Sequence, residues 1–178
     1  MTRLLARTAL VLACAGAAPA ALRAQAAAAA AQPAATTPAG KTPDLSGTWE
    51  LNVAKSNFGQ GAAPTKGTMV VTQAGDRLTR VQSLSSPVGE MKNTMHHTIG
   101  AATTDTMQMA GQAMAFTSTA RWEGSTMIVD GKVSVQGMDI PVTSRYTLAP
   151  GGKQLMVDQT VSTPMGEQVT HAVYDKKG

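Results

Sequence analysis

The feature that most constrains the fold is a series of short glycine turns between runs of alternating polar and apolar residues. Three turns have the form Gly-x-x-Leu/Met and begin at Gly75, Gly124 and Gly152, and two more combine proline with glycine, at 85–90 and 162–167. Glycine supplies the positive φ that tight hairpin loops need, and proline presets φ at the start of a turn. Alternation with a period of two is typical of half-buried strands. The pattern therefore predicts roughly ten strands joined by hairpins.

Short connections favour sequential antiparallel pairing of these strands. The strands are predicted at 47–53, 67–73, 77–84, 89–99, 104–109, 113–122, 126–135, 138–148, 154–162 and 166–175. An open meander of this size leaves two exposed edges, which closure into a barrel removes. We therefore expect an all-β fold, an up-and-down antiparallel β-barrel of about 8–10 strands. A two-sheet sandwich is the alternative, but it usually requires longer crossover connections.

The first 24 residues, 1–24, have the pattern of a secretory signal peptide. Arg3 and Arg7 lie at the start, residues 8–18 are almost wholly apolar or small, and small residues follow. The apolar stretch is shorter than the ~20 residues of a membrane-spanning helix, and no later segment qualifies, so we expect no transmembrane segment. We expect export to the periplasm or secretion. Lipid attachment at Cys14, the single cysteine, is the alternative.

Residues 25–43 are rich in alanine, proline and threonine and have no periodicity, which is typical of a disordered linker. The folded domain is therefore expected at 44–178. The full chain has a net charge of +4, but without Arg3, Arg7 and Arg23 its 15 basic residues fall to 12, against 11 acidic ones. Because the chain also lacks basic runs and has few aromatic residues, we expect no nucleic-acid binding.

The first predicted strand carries a Gly-x-Trp motif, GTWEL at 47–51. This motif resembles the first strand of the lipocalin and fatty-acid-binding protein (calycin) superfamily. The longer stretch 46–59 is similar to that of a group of secreted bacterial lipocalin-like proteins. The resemblance implies a barrel that holds one small hydrophobic molecule. It also implies that Gly47 and Trp49 lie at the closed end, where the tryptophan plugs the barrel.

The last predicted strand departs from both families. Lipocalins commonly place an arginine near the end of this strand, against the tryptophan, and here that end offers only Lys176 and Lys177. Fatty-acid-binding proteins grip the ligand carboxylate with an Arg-x-Tyr on this strand, and here Ala172 stands in the arginine's place, two residues before Tyr174. A carboxylate clamp of that kind is therefore not expected.

The alternation also predicts which side chains line the interior, and these are rich in methionine. The expected lining residues are Met91, Met95, His97, Met107, Met109, Met114, Phe116, Met127, Met138, Tyr146 and His171. On the last strand the hydrophobic pattern turns His171 and Val173 inward, whereas the fatty-acid-binding resemblance turns Ala172 and Tyr174 inward; we follow the hydrophobic pattern. Flexible, polarisable thioethers suit a loosely specified hydrophobic ligand.

Two alternatives to a ligand pocket remain open at this point. Methionine also fills irregular gaps, so the core can be solid and the barrel purely structural. Thioether and imidazole groups also favour Cu(I), and Met91, Met95 and His97 share one face of a strand. No catalytic arrangement is evident, since Glu90 and Glu167 are expected to face solvent and the sequence has no Ser-His-Asp order or phosphate loop. We predict a monomeric, non-enzymatic barrel without a cofactor.

Overall fold

The fold was analysed in a computed structural model, which describes residues 42–59, 63–87, 89–109, 112–135 and 137–178. The predicted signal peptide and all but the end of the predicted linker lie outside these residues. Export, lipid attachment and a disordered linker therefore stay predictions.

Ten strands and one short 3-10 helix make up the described residues. They are β1 (Gly47–Leu51), η1 (Val53–Lys55), β2 (Lys66–Ala74), β3 (Arg77–Ser86), β4 (Gly89–Thr98), β5 (Ala102–Met109), β6 (Gln112–Glu123), β7 (Thr126–Val135), β8 (Met138–Leu148), β9 (Gln154–Thr163) and β10 (Gly166–Lys176). The all-β prediction is confirmed. Within the described part of the chain, no helix has the length and apolar character needed to cross a membrane.

All ten strands belong to one sheet in the order β4-β3-β2-β1-β10-β9-β8-β7-β6-β5. Consecutive strands pair antiparallel, as the short turns predict, except β4 and β5, which lie at the two ends of the order. The first strand also pairs with the last: Trp49 is the register partner of Met69 on β2 and of Lys176 on β10. The sheet is therefore a single up-and-down meander curled into a nearly closed barrel, and the sandwich alternative is wrong.

Side chains bridge the seam where β4 and β5, the two ends of the sheet order, approach each other. Asp105 on β5 accepts hydrogen bonds from the His96 backbone N–H at 2.8 Å and pairs with the His96 imidazole at 2.7 Å. Thr103 Oγ1 donates to the His96 carbonyl at 2.7 Å, and the Gln108 N–H donates to Asn93 Oδ1, also at 2.7 Å. These contacts satisfy backbone groups at the strand edges, which otherwise attract further strands.

Trp49 lies at the end of the barrel that carries the β2–β3, β6–β7 and β8–β9 turns, called here the Trp49 end. Its side chain is fully buried, and its indole N–H donates to the Leu45 carbonyl at 3.0 Å. The Lys176 ammonium lies 5.1 Å from the ring centroid, where it makes a cation–π contact. Lys176 thus occupies the position that the lipocalin resemblance gives to an arginine.

Two features favour glycine at position 47, beside this contact. Its φ is +144°, which side chains rarely adopt, and a Cβ there would lie 2.8 Å from Lys176 Cε. The glycine of the Gly-x-Trp motif therefore leaves room for the lysine that covers the tryptophan.

Candidate ligand site in the barrel interior

Inward side chains form two apolar clusters, one at each end of the barrel. The larger surrounds Trp49 and includes Met69, Leu78, Ala120, Met127, Val129, Tyr146, Leu155 and Val157. The smaller lies toward the opposite end and consists of Met95, Phe116, Val133 and Val142, with Met107, Met114, Val135 and Val161 packed against it. Gly131 allows the Phe116 ring to lie over β7, since a Cβ there would be 2.6 Å from Phe116 Cζ.

A belt of polar inward side chains separates the two clusters. On β6, β8 and β9 the inward position between the clusters is occupied by Ser118, Ser144 and Gln159, and β3 and β4 contribute the remaining members. We call this set the polar belt: Arg80, Gln82, His97, Ser118, Ser144 and Gln159. A polar group taken out of water costs free energy unless it is hydrogen-bonded. A solid apolar core therefore has no need of inward polar residues such as these.

The centre of the polar belt is a chain of hydrogen bonds from β3 to β10. Arg80 Nη1 donates to Gln82 Oε1 at 2.9 Å, and Gln82 Nε2 donates to the Tyr174 hydroxyl at 2.8 Å. The Arg80 guanidinium also lies 5.8 Å from the Tyr146 ring centroid, within cation–π range. Burial raises the pKa of Tyr174, against the smaller opposing effect of the hydrogen bond from Gln82. Tyr174 is therefore a neutral hydroxyl.

His97 lies on the neighbouring strand, with only 2% of its surface exposed. Its Nδ1 is 3.3 Å from Ser118 Oγ. Burial, and secondarily the positive charge of Arg80, lower the pKa of His97 to about 4, so the imidazole is neutral at physiological pH. Among the described residues, the buried side-chain nitrogen and oxygen atoms without a hydrogen-bond partner are Arg80 Nε and His97 Nε2.

An open groove of about 440 Å³ lies at the end of the barrel opposite Trp49. It lies between the β9–β10 hairpin and the segment that follows β1, and Phe58, Thr163, Gln168 and Val169 are among its lining residues. Pockets for small molecules commonly have volumes of about 300–1,000 Å³. The groove falls within this range, but its lining includes the exposed Met165 and Val169 and no residue of the polar belt.

Most of the predicted lining residues point inward, to different depths. Met95, His97, Phe116, Met127 and Tyr146 are buried, and Met91, Met107 and Met114 are half-buried. The Met109 side chain lies outside the described residues. Whether any of them contacts a ligand stays a prediction.

Two predicted lining residues are not in the interior, and the predicted phase of the last strand is wrong. Met138 is 51% exposed, because it begins β8 at the rim of the barrel. His171 lies on the outer face, where its imidazole pairs with Asp158 of β9. Ala172 and Tyr174 are the buried inward residues, as the fatty-acid-binding resemblance implies.

Val173 explains the error on β10. It is also buried, although it lies on the other side of the strand from Tyr174. The Asn52 N–H donates to its carbonyl at 2.8 Å, and its own N–H donates to Ser56 Oγ at 2.9 Å. Because the segment after β1 lies against this strand, apolar residues occur on both faces and hydrophobicity does not fix the phase.

Of the polar belt, the sequence predicts only His97, and Arg80 and Gln82 are the least expected of the residues that it misses. Charged and amide residues on a strand usually face solvent. A signal was nevertheless present, because both share the parity of Leu78 and Leu84 on β3. Apolar residues at both ends of an alternating run place the polar residues between them on the inner face.

The described residues contain no group of three His, Cys, Asp or Glu side chains arranged to hold a metal ion. No protein-family model matches the chain, and no curated protein matches it.

Solved structures do resemble it. Zebrafish ileal bile acid-binding protein, crystallised with cholic acid, aligns with 75% of this chain and 98% of its own, with a TM-score of 0.51 and 17% identity. Secretory abundant heat soluble protein 4 from Ramazzottius varieornatus aligns with 75% of this chain and 95% of its own, with a TM-score of 0.52 and 17% identity. The fold is calycin-like. At this level of identity the likeness concerns the fold alone.

Proposed function

We propose that this chain is a non-enzymatic barrel that binds one small amphipathic molecule in its interior. The observation that carries this proposal is the polar belt between the two apolar clusters. A filled structural core gains nothing from a half-buried arginine, whereas a ligand with an apolar body and a polar group matches apolar walls around polar side chains. The bile acid-binding protein of similar fold binds a molecule of that kind, cholic acid.

The methionines toward the open end support the same proposal. Met91, Met107 and Met114 share the inner face of their strands yet remain half-buried, so part of each side chain is accessible to solvent from this side. Thioether side chains adapt to ligands of different shape at little cost.

We further propose that the chain acts after export, in the periplasm or outside the cell. The support is the pattern of residues 1–24, which predicts a signal peptide, together with the resemblance of 46–59 inferred from the sequence alone. Neither depends on the interior site, so this proposal and the ligand proposal stand separately.

The copper alternative is less well supported. Met95 and His97 are both buried on one face of β4, which suits a soft metal. However, Arg80 is the register partner of Met95 on β3. A permanent positive charge at this position disfavours a bound cation.

Titration with the neutral fluorophore N-phenylnaphthylamine tests the ligand proposal. Its fluorescence should rise and saturate when the folded chain is added, because the fluorophore brightens in apolar surroundings. Ser144→Phe, which adds a ring to the buried inner face of β8, should reduce this signal strongly. Arg145→Phe, which adds the same ring to the exposed outer face of β8, is the matched control. Thermal unfolding of both variants verifies that they fold. No saturable signal with the wild type would favour the filled-core alternative.

A further inference from the structure

Arg80 carries a charge inside the barrel without an acidic partner. Among the described residues it forms no ion pair, and its polar contact is the amide oxygen of Gln82. Asp105, the acidic side chain that acts on the neighbouring His97, is already paired with His96. A buried charge is normally compensated by an opposite charge. The wall at β3 therefore carries a half-buried positive charge without an acidic partner among the described residues.

The two unpartnered buried nitrogens lie on the same wall of the barrel. In the β3–β4 register Leu78 pairs with His97 and Arg80 pairs with Met95, so Arg80 and His97 are diagonal neighbours on the inner face. Long side chains in this relation reach each other. The lowering of the His97 pKa by Arg80 agrees with their proximity.

We propose that this wall is a binding site for the carboxylate of an anionic amphiphile, with one oxygen accepting from Arg80 Nε and the other from His97 Nε2. This inference rests on the proposed function and specifies its ligand class. Arg80 Nη1 is occupied by Gln82, which leaves the Nε edge of the guanidinium available. That edge matches the planar geometry of a carboxylate.

An anion at this position also selects the tautomer of His97. When Ser118 donates to Nδ1, the imidazole proton lies on Nε2 and points to the carboxylate. The neutral imidazole then acts as a donor without being charged. The site thus differs from a clamp on the last strand, where Ala172 contributes no polar group and the Tyr174 hydroxyl accepts from Gln82.

The test compares two probes that differ in the head group, dodecanoate and dodecanol, at about pH 8, where a carboxylate is ionised. Calorimetry on the lipid-stripped, folded chain should show dodecanoate binding about 10- to 100-fold more tightly, the scale of a charged hydrogen bond. Arg80→Met should abolish this preference and bind both probes alike. Arg145→Met, on the exposed face of β8, is the control and should keep it. If Arg80→Met does not fold, Arg80→Gln takes its place with the same expectation.

The outcomes separate this inference from the proposed function. Equal affinity of the wild type for both probes, or a preference that survives loss of the arginine, would refute the carboxylate site and leave an interior ligand site intact. Failure to bind either probe or N-phenylnaphthylamine would refute both.

His97 provides an independent measurement. Its imidazole pKa, about 4 in the free chain, should rise with dodecanoate, because the bound carboxylate offsets the Arg80 charge that lowers it. Asp105 and His96, the other ionisable neighbours, are present with either probe. The same rise in pKa with dodecanol, or no rise with dodecanoate, would contradict the carboxylate site.

Substitutions of His97 give a separate test. His97→Gln, which keeps an N–H near the Nε2 position, should retain the preference for dodecanoate, and His97→Asn, which is shorter, should reduce it several-fold.

Discussion

Replacement of His97 by glutamine should flatten the pH dependence of stability on the acid side of neutrality. In the unfolded chain an imidazole has a pKa near 6.5, whereas burial and Arg80 lower the pKa of folded His97 to about 4. Between these values the unfolded state binds the extra proton, so a fall in pH favours unfolding. The difference amounts to about 2 kcal/mol of stability lost between about pH 7 and about pH 5, and about 3 kcal/mol by about pH 4.

Urea unfolding of the wild type and His97→Gln at a series of pH values measures this difference. With the usual dependence of stability on urea for small domains, about 1–3 kcal/mol per molar, the wild-type midpoint should fall by about 1 M over that range relative to the variant. His96→Gln is the control, because the His96 side chain is 60% exposed at the seam. If the wild type and His97→Gln lose stability in parallel, His97 is not a buried neutral imidazole, and the assignment of the polar belt is wrong.

Two further predictions concern the Trp49 end. Trp49→Ala should destabilise the fold by about 3–5 kcal/mol in chemical unfolding, because it removes a fully buried ring and leaves the Leu45 carbonyl without its donor. Trp122→Ala, at a partly buried position beside the same cluster, is the control and should reduce the free energy of unfolding by less. If Trp49→Ala lowers the free energy of unfolding by under about 1 kcal/mol, Trp49 does not support the core. Gly47→Ala should cost about 1–3 kcal/mol, because it strains the backbone at φ +144° and displaces Lys176 from the ring. Unchanged stability of this variant would refute the reason given for the glycine.

The sequence predicts the barrel well because each local signal agrees with the global fold. Glycine turns, short connections and period-two alternation all specify the same meander, and the Gly-x-Trp motif specifies where it begins. The inner face of β4 follows from the alternation of Met91, Met95 and His97, since this strand is exposed on one side and buried on the other. Patterns of this kind are readable from one sequence because one physical cause, burial of one face, produces them.

The candidate site is less predictable because its residues break that pattern. Arg80 is charged yet lies on the inner face, and Val173 is apolar yet lies on the outer one. Hydrophobicity assigns each of them to the wrong side. Val173 is covered by the segment after β1, which is a tertiary contact, whereas the Arg80 guanidinium donates to the amide of Gln82 on the same strand. Disagreement between local pattern and global fold is expected where function constrains the residue.

The position of the inward polar residues in the barrel is evidence about the function. If the inward polar residues were scattered, the burial of each would cost folding free energy in a structural core without serving a shared purpose. They lie instead between the two apolar clusters on each of five strands, β3, β4, β6, β8 and β9. Replacing buried polar groups with apolar ones of similar size often leaves stability unchanged or improves it. The polar belt is therefore better explained by what the interior binds than by what holds the barrel together.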